Sequence, residues 1–554
     1  MFEVGRSLRI LRTHHIDHPL SKMEVVESVA PPTLEWRYSW QDILDVETKA
    51  LQYEQDLTAA LRAFSRPGLM EETPATGPQY ELYNFDLDFF GKPEEEMQNR
   101  VVASIKQMDL KLQEPLASVK LQQLLQVCLS STSKSAPEYD SIFSPPISLA
   151  PLLSFNPIIS AQARVVNSIC MQLFFKSHKL RQHLSLQRDF HLLGNGVFSS
   201  RLSHALFDPE LESAERQKGV ALSGGSMGLR LGGRDTWPPA SSELRLALMG
   251  VLTESYTSNQ PLNLSPTGGY LERQGSLPGD LSFAVRDMSE EEIEKCMDPN
   301  SIEALDFLRL SYKPPAPLES ILTPIILYKY DQLFKQLLRT LRMLYVVSAL
   351  FRDTTDRTSS WKSIDPSAQK FRIEAHHFVS SVCGYFFDTG IASTWRIFER
   401  KLDEIQQRME SDDFSLGQNE GLDKLRDYHE RVLDKMLFAL LLRKRQKPVM
   451  QLLEEIFGII LRFSKHSREK ALGTQGETNK DGDIRLMYGK FRKKVGVFIT
   501  VCRGLSEKKG YGEKNFDARA GSGGLFDAAD LAEENTVGQL VLRLEMSDYY
   551  LKGV

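Results

Sequence analysis

Residues 325–351 read IILYKYDQLFKQLLRTLRMLYVVSALF. Apolar side chains recur at Ile326, Tyr330, Leu333, Phe334, Leu337, Leu338, Leu341, Leu344 and Val347, in steps of three and four. On a helix of 3.6 residues per turn these positions make one stripe. Lys329, Lys335, Arg339 and Arg342 take other positions, as on the polar side of an amphipathic helix. Thr323 and Pro324 supply the start: a hydroxyl cap, then a proline whose missing N–H costs nothing in the first turn.

The same period extends in both directions. Leu422, Leu425, Tyr428, Val432, Met436 and Leu440 form a second stripe, within a helix expected over Leu422–Leu442. Leu452, Leu453, Ile456, Phe457, Ile460 and Leu461 form a third, over Met450–Phe463. Further helices are expected at Trp40–Phe64, Glu95–Leu112, Leu121–Leu129, Ile159–Lys179, Phe371–Phe387, Thr394–Arg408 and Arg485–Gly504. Strand signals are confined to Leu281–Val285 and Ala304–Tyr312, enough for at most one small β-hairpin. The fold class is therefore all-α. Stretches rich in Gly, Ser and charge near 210–280, 466–484 and 508–534, with Pro67–Lys92, read as flexible, disordered inserts or loops.

Composition bounds the function. A chain of 554 residues suits three or four units at about 150 residues each, or one long helical body. The net charge of −5 supplies no basic field for nucleic acid or an anionic membrane. Five cysteines, Cys128, Cys170, Cys296, Cys383 and Cys502, are widely spaced, which argues for reduced thiols and against a disulfide framework or zinc site. The longest clean apolar run, Met436–Leu442, falls well short of the roughly 20 residues of a membrane span. No membrane insertion is expected.

Catalytic motifs fail on context. Gly91-Lys92 and Gly489-Lys490 are followed by Pro93 and Phe491, so no hydroxyl is placed for a phosphate-bound metal. Ser226 lies in a G-x-S-x-G spelling, yet a nucleophile elbow needs a strand before it and a helix after it, and the surrounding stretch is Gly-rich. His376 and His377 are adjacent, so on a helix they point about 100° apart and cannot share an ion well, with or without Cys383. Asn263-Leu264-Ser265 matches a glycosylation acceptor without an accompanying apolar secretion signal. Arg443–Lys447 and Lys490–Lys494 are short basic clusters, either solvated helix ends or a surface for an acidic partner. These observations favour an interaction scaffold over an enzyme, with no cofactor and no metal.

Several segments, in order, resemble the gamma-tubulin complex component family, the grip-motif proteins of microtubule-organising centres. They include Leu180, His183, Leu184, Phe190, Gly196 and Leu206-Phe207; Leu308–Tyr312, Pro317-Leu318 and Ile321–Pro324; then Tyr330, Phe334 and Leu337–Arg339. Arg372, His377–Val379, Tyr385-Phe386 and Trp395 follow, then Leu422-Asp423, His429 and Leu433. Ser380-Ser381 stand where the family usually has an Asn-containing pair, and the resemblance is to a divergent member of the class of components five and six.

The resemblance implies an elongated stack of helical bundles. Residues 1–188 would be a partial N-terminal grip domain for lateral assembly, and residues 189–550 a C-terminal grip domain that binds gamma-tubulin. It implies gamma-tubulin and other complex components as partners, and a place at a microtubule-organising centre or spindle pole body. Arg372, His377 and Trp395 are the candidate gamma-tubulin contacts, because Arg and Trp combine contact area with a polar handle. Phe378, Val379, Val382 and Phe386 are expected in the core, and His429 as a packing histidine. A helical tethering or trafficking scaffold without a tubulin partner, and a hydrolase using Ser226, are the rival readings.

Overall fold

The computed structural model describes residues 2–15, 18, 20, 32–37, 40–64, 148–208, 229, 231, 237–259, 279–355, 366–410, 420–472, 480–507, 536–546 and 549–550. The helices expected at Glu95–Leu112 and Leu121–Leu129, the loop Pro67–Lys92, Ser226 and most of the three inserts lie outside them. The chain divides into two compact units, 1–170 with 415–418, and 171–414 with 419–554.

In the first unit, the helix Trp40–Phe64 packs Val46 and Ala50 against Ile158 and Ala161 of the helix Ala150–Gln172. Glu54 accepts a two-pronged bond from Arg164 (2.5 and 3.0 Å) across the same contact, and Trp36 meets Phe155 edge-on at 5.9 Å. The segment Pro151–Ser177 is long and apolar enough to cross a membrane, with a mean hydropathy of 1.3. Asn156, Arg164 and Asn167 interrupt it, so it holds no long uninterrupted apolar run. More than half (56%) of an apolar 18-residue portion of it is already buried inside the protein, and an Arg164–Glu54 pair is costly in hydrocarbon; it packs as a core helix.

The second unit is built on the helix Pro324–Thr355. Thr323 caps it as the sequence suggests: its hydroxyl accepts from Ile326 N–H and its carbonyl from Leu327 N–H. Ile326, Tyr330, Leu333, Phe334, Leu337 and Leu338 are all buried. Each buried Leu or Phe contributes about 1.5–3 kcal/mol relative to exposure. Around this helix stand the helices Gly196–Phe207, Pro366–Gly384, Leu422–Ala439 and Lys447–Leu472, and the strand Leu308–Lys313.

Because neighbours cover so much of this helix, its expected polar side is not solvated. Arg339 and Arg342 are buried. Arg339 pairs with Asp306 and with Glu454 (2.6 Å), and Arg342 donates to the carbonyls of Pro299 and Ser301. Lys329 reaches Glu430 (2.8 Å) and Asp434 (2.6 Å). A charge taken out of water must be paired or hydrogen-bonded, and each of these is.

The β-hairpin is antiparallel, Asp280–Val285 with Leu308–Lys313, in register Leu281↔Tyr312 and Phe283↔Leu310. Leu308, Leu310 and Tyr312 point into the core. The second strand starts later than expected, since Ile302–Leu305 form a 3-10 turn. The 22 intervening residues include the helix Glu290–Cys296, opened by a Ser289–Glu292 capping box.

Helices also occur where the sequence reading places loops or nothing. Ser241–Asn259 lies within the stretch taken as an insert near 210–280, and Lys447–Leu472 and Lys480–Ser506 continue into the one near 466–484. The helix Thr536–Glu545 buries Val537, Leu540, Val541 and Leu544. The helices Pro366–Gly384 and Ser393–Glu410 are joined without a break by a π-helical stretch, Tyr385–Ala392. Gly390 in that stretch lies under the start of the next connection: a Cβ there would sit 2.9 Å from Leu440 Cδ1 and 3.4 Å from Ala439 Cβ.

Candidate functional site

Arg372, His377 and Trp395 all lie on the run 366–410, and the structure does not bring them together. Trp395 is 3% exposed and meets Phe398 edge-on at 5.3 Å. It offers a partner no surface and lies eighteen residues beyond His377, roughly 27 Å along a helix axis. Arg372 turns toward the helix Lys447–Leu472, donating to Ser467 Oγ (2.9 Å) with its guanidinium 6.0 Å from the centre of the Phe463 ring. His377 alone lines an open groove.

The groove, of about 580 Å³, is bordered by Phe351, Ile373, His376, His377, Ser380, Ser381, Arg543, Met546 and Tyr549. One wall is the helix Pro366–Gly384, whose 3.6-residue period sets Ile373, His376, His377 and Ser380 on one side. The buried side of the same helix carries Phe371, Phe378, Val379 and Val382, core residues as the sequence indicates. The other wall comes from the end of the helix Thr536–Glu545 and the residues just after it. Its apolar rim is well exposed, with Met546 at 78%.

A buried carboxylate organises the groove from beneath. Glu374 accepts from Tyr488 Oη at 2.7 Å and faces Arg492 Nε at 3.6 Å. Arg492 also donates to the Tyr549 carbonyl (3.2 Å), and Tyr550 Oη donates to the Glu374 carbonyl (2.9 Å). The C-terminal tyrosines are thereby tied to the groove's first wall. His377 completes the tie, with Nδ1 3.3 Å from Tyr550 Oη and its ring 5.0 Å from Tyr549. Burial, reinforced by His376, pushes the His377 pKa down, and burial raises that of Tyr550. Both are neutral near pH 7.

This arrangement is poorly set to activate a nucleophile. Ser381 Oγ is 3.5 Å from His377 Nε2, the outer limit of a hydrogen bond, and His377 Nδ1 faces a phenol, not the carboxylate that orients a catalytic imidazole. His376 packs edge-on to Phe351 (4.7 Å), and Cys383 is buried with its thiol toward the Thr340 carbonyl. His376, His377 and Cys383 thus face different neighbours. Among the described residues no group of three His, Cys, Asp or Glu could hold a metal ion.

His429 is a packing histidine, fully buried and stacked 5.0 Å from Phe398. Of the basic run 490–494, Arg492 and Lys494 are paired with Glu374 and Glu455. The groove's second wall escapes a residue-by-residue reading, although Val537, Leu540, Val541 and Leu544 repeat at helical spacing.

The fold is thus a covered helical bundle carrying an open groove of mixed apolar and polar lining. The gamma tubulin complex component C-terminal family matches residues 180–550, and the chain belongs to the gamma-tubulin complex component family. Gamma-tubulin complex component 6 of Homo sapiens is 24% identical over 329 residues, covering 58% of this chain and 15% of the relative. Its Mus musculus counterpart is 23% identical over 344 residues, covering 60% of this chain and 16% of the relative. The matches therefore span about one sixth of those relatives' lengths.

Proposed function

We propose that this chain is a scaffold subunit of a gamma-tubulin complex, which binds gamma-tubulin through residues 189–550 and helps template microtubule nucleation. The family match over 180–550 carries this reading. A rigid body that holds one tubulin-like protein at a fixed angle removes part of the association entropy that slows unaided nucleation. Residues 1–188 would make lateral contacts with other components; several such contacts acting together hold a ring that one alone would not. The site of action is a microtubule-organising centre or spindle pole body.

Among the candidate contacts, His377 would touch gamma-tubulin directly in the groove, and Arg372 would do so from the edge of the same helix. Trp395 would support them from the core. Capture of purified gamma-tubulin by the immobilised chain tests the reading. Retention at micromolar protein supports it, and a clean absence favours a tethering scaffold without a tubulin partner.

A further inference from the structure

The outer face of the helix Lys480–Ser506 has a composition that the groove does not explain. Leu486, Lys490, Lys493 and Val497 follow one another at steps of four, three and four, the spacing of a helix–helix seam. All four are exposed, Leu486 at 63% and Val497 at 45%. The core side of the same helix is occupied by Phe491, Val495, Phe498 and Cys502. The neighbouring cations Arg492 and Lys494 are committed to Glu374 and Glu455, whereas among the described residues Lys490 and Lys493 have no ion-pair or hydrogen-bond partner. The exposed carboxylate of Asp483 lies a turn before Leu486, past the end of the stripe.

Gly489 and Gly496, one heptad apart, border the stripe. A Cβ at either would meet nothing within 4 Å, so the surface beside the lysines is open. A helix backbone can approach closely only where side chains are small. The seam thus has apolar ends, two cations in its middle that no described residue neutralises, and room alongside for a second backbone.

We propose that the Leu486–Lys490–Lys493–Val497 face is a docking seam for an amphipathic helix of a partner protein bearing two acidic residues between flanking apolar ones. The spacing sets the complement: apolar, then acidic four residues on, acidic three further, apolar four further, over roughly 16 Å of helix axis. Charge complementarity selects this partner over a purely apolar helix, because an apolar side chain over Lys490 and Lys493 would desolvate them without compensation. The seam stands independently of the gamma-tubulin reading.

The test uses the full chain and a synthetic helical peptide of the pattern Leu-x-x-x-Glu-x-x-Glu-x-x-x-Leu, followed by fluorescence anisotropy. Binding that weakens as salt rises is expected. The Lys490→Glu, Lys493→Glu double variant should lose affinity at least about tenfold, a difference near 1.4 kcal/mol, and regain it for a peptide whose two Glu are Lys. These positions are exposed, so the variant's circular dichroism should match the parent's. Gamma-tubulin capture, measured in parallel, should be unchanged. Three outcomes would overturn the seam: no binding of the acidic peptide, binding indifferent to the double variant, or a variant that loses gamma-tubulin or phosphatidylserine vesicles instead of the peptide.

Discussion

Tyr330 Oη and His429 Nε2 lie 2.7 Å apart between the helices Pro324–Thr355 and Leu422–Ala439, both side chains wholly removed from water. Burial raises the phenol's pKa well above its usual value, so the tyrosine keeps its proton. Burial first, then Lys329, pushes His429 down to about 3. His191, buried against the Leu310 carbonyl at 3.3 Å, is pushed down to about 4 by burial. Neutral imidazoles are thus built into the packing between helices.

Acid stability should follow from these two histidines. In the unfolded chain each takes a proton near pH 6.5; folded, each resists protonation until about 4 or 3. The unfolded state therefore binds more protons below 6.5, and stability falls as pH falls. The contribution is fully present above 6.5 and is lost by about 3. Between pH 7 and 5 each histidine should cost about 2 kcal/mol. Urea midpoints across that range check it, and a His429→Phe, His191→Phe variant should show a shallower decline.

Removing one partner of a buried charge network should cost more than the network itself is worth. Asp306→Ala leaves the buried Arg339 with Glu454 alone, and also strips Lys335 of its 3.0 Å partner. A loss of about 3–5 kcal/mol is expected, read as a lower thermal midpoint. Replacing Asp306 and Arg339 together with apolar residues should lose less.

Gly279, at φ +79, precedes the first strand with the Tyr312 ring against it: an added Cβ would lie 2.7 Å from Tyr312 Cε2. Tyr312 also hydrogen-bonds His183. Gly279→Ala should destabilise by about 1–3 kcal/mol, from left-handed strain and displacement of that ring. Gly496→Ala, in open space on a helix, should be neutral to stabilising by up to about 1 kcal/mol. Paired thermal melts compare them.

Much of the fold was legible because amphipathic periodicity survives burial. The stripes at 326–347 and 422–440 are core stripes, and Thr323 caps where it should. What periodicity cannot show is a helix covered on its polar side as well. Arg339 and Arg342 look solvated in sequence, and only partners elsewhere in the chain, such as Asp306 and Glu454, make their burial possible. Glycine-rich surroundings hid Ser241–Asn259, and a π-helical join hid the continuity from Pro366 to Glu410. Of the candidate site, His377 was reached through family resemblance. Its opposing wall, Arg543 to Tyr549, is some 170 residues away in sequence, a pairing no local pattern encodes. Trp395 illustrates the converse, since chemistry suited to an interface serves equally well as a core anchor.

The most direct measurement is mass photometry of the purified chain mixed with gamma-tubulin, run beside a His377→Glu, Tyr549→Ala variant of unchanged circular dichroism. A one-to-one complex at submicromolar protein, weakened at least about tenfold in the variant, is the result expected. Two well-folded proteins that never co-migrate would contradict the gamma-tubulin reading, and a complex indifferent to the variant would remove the groove from it.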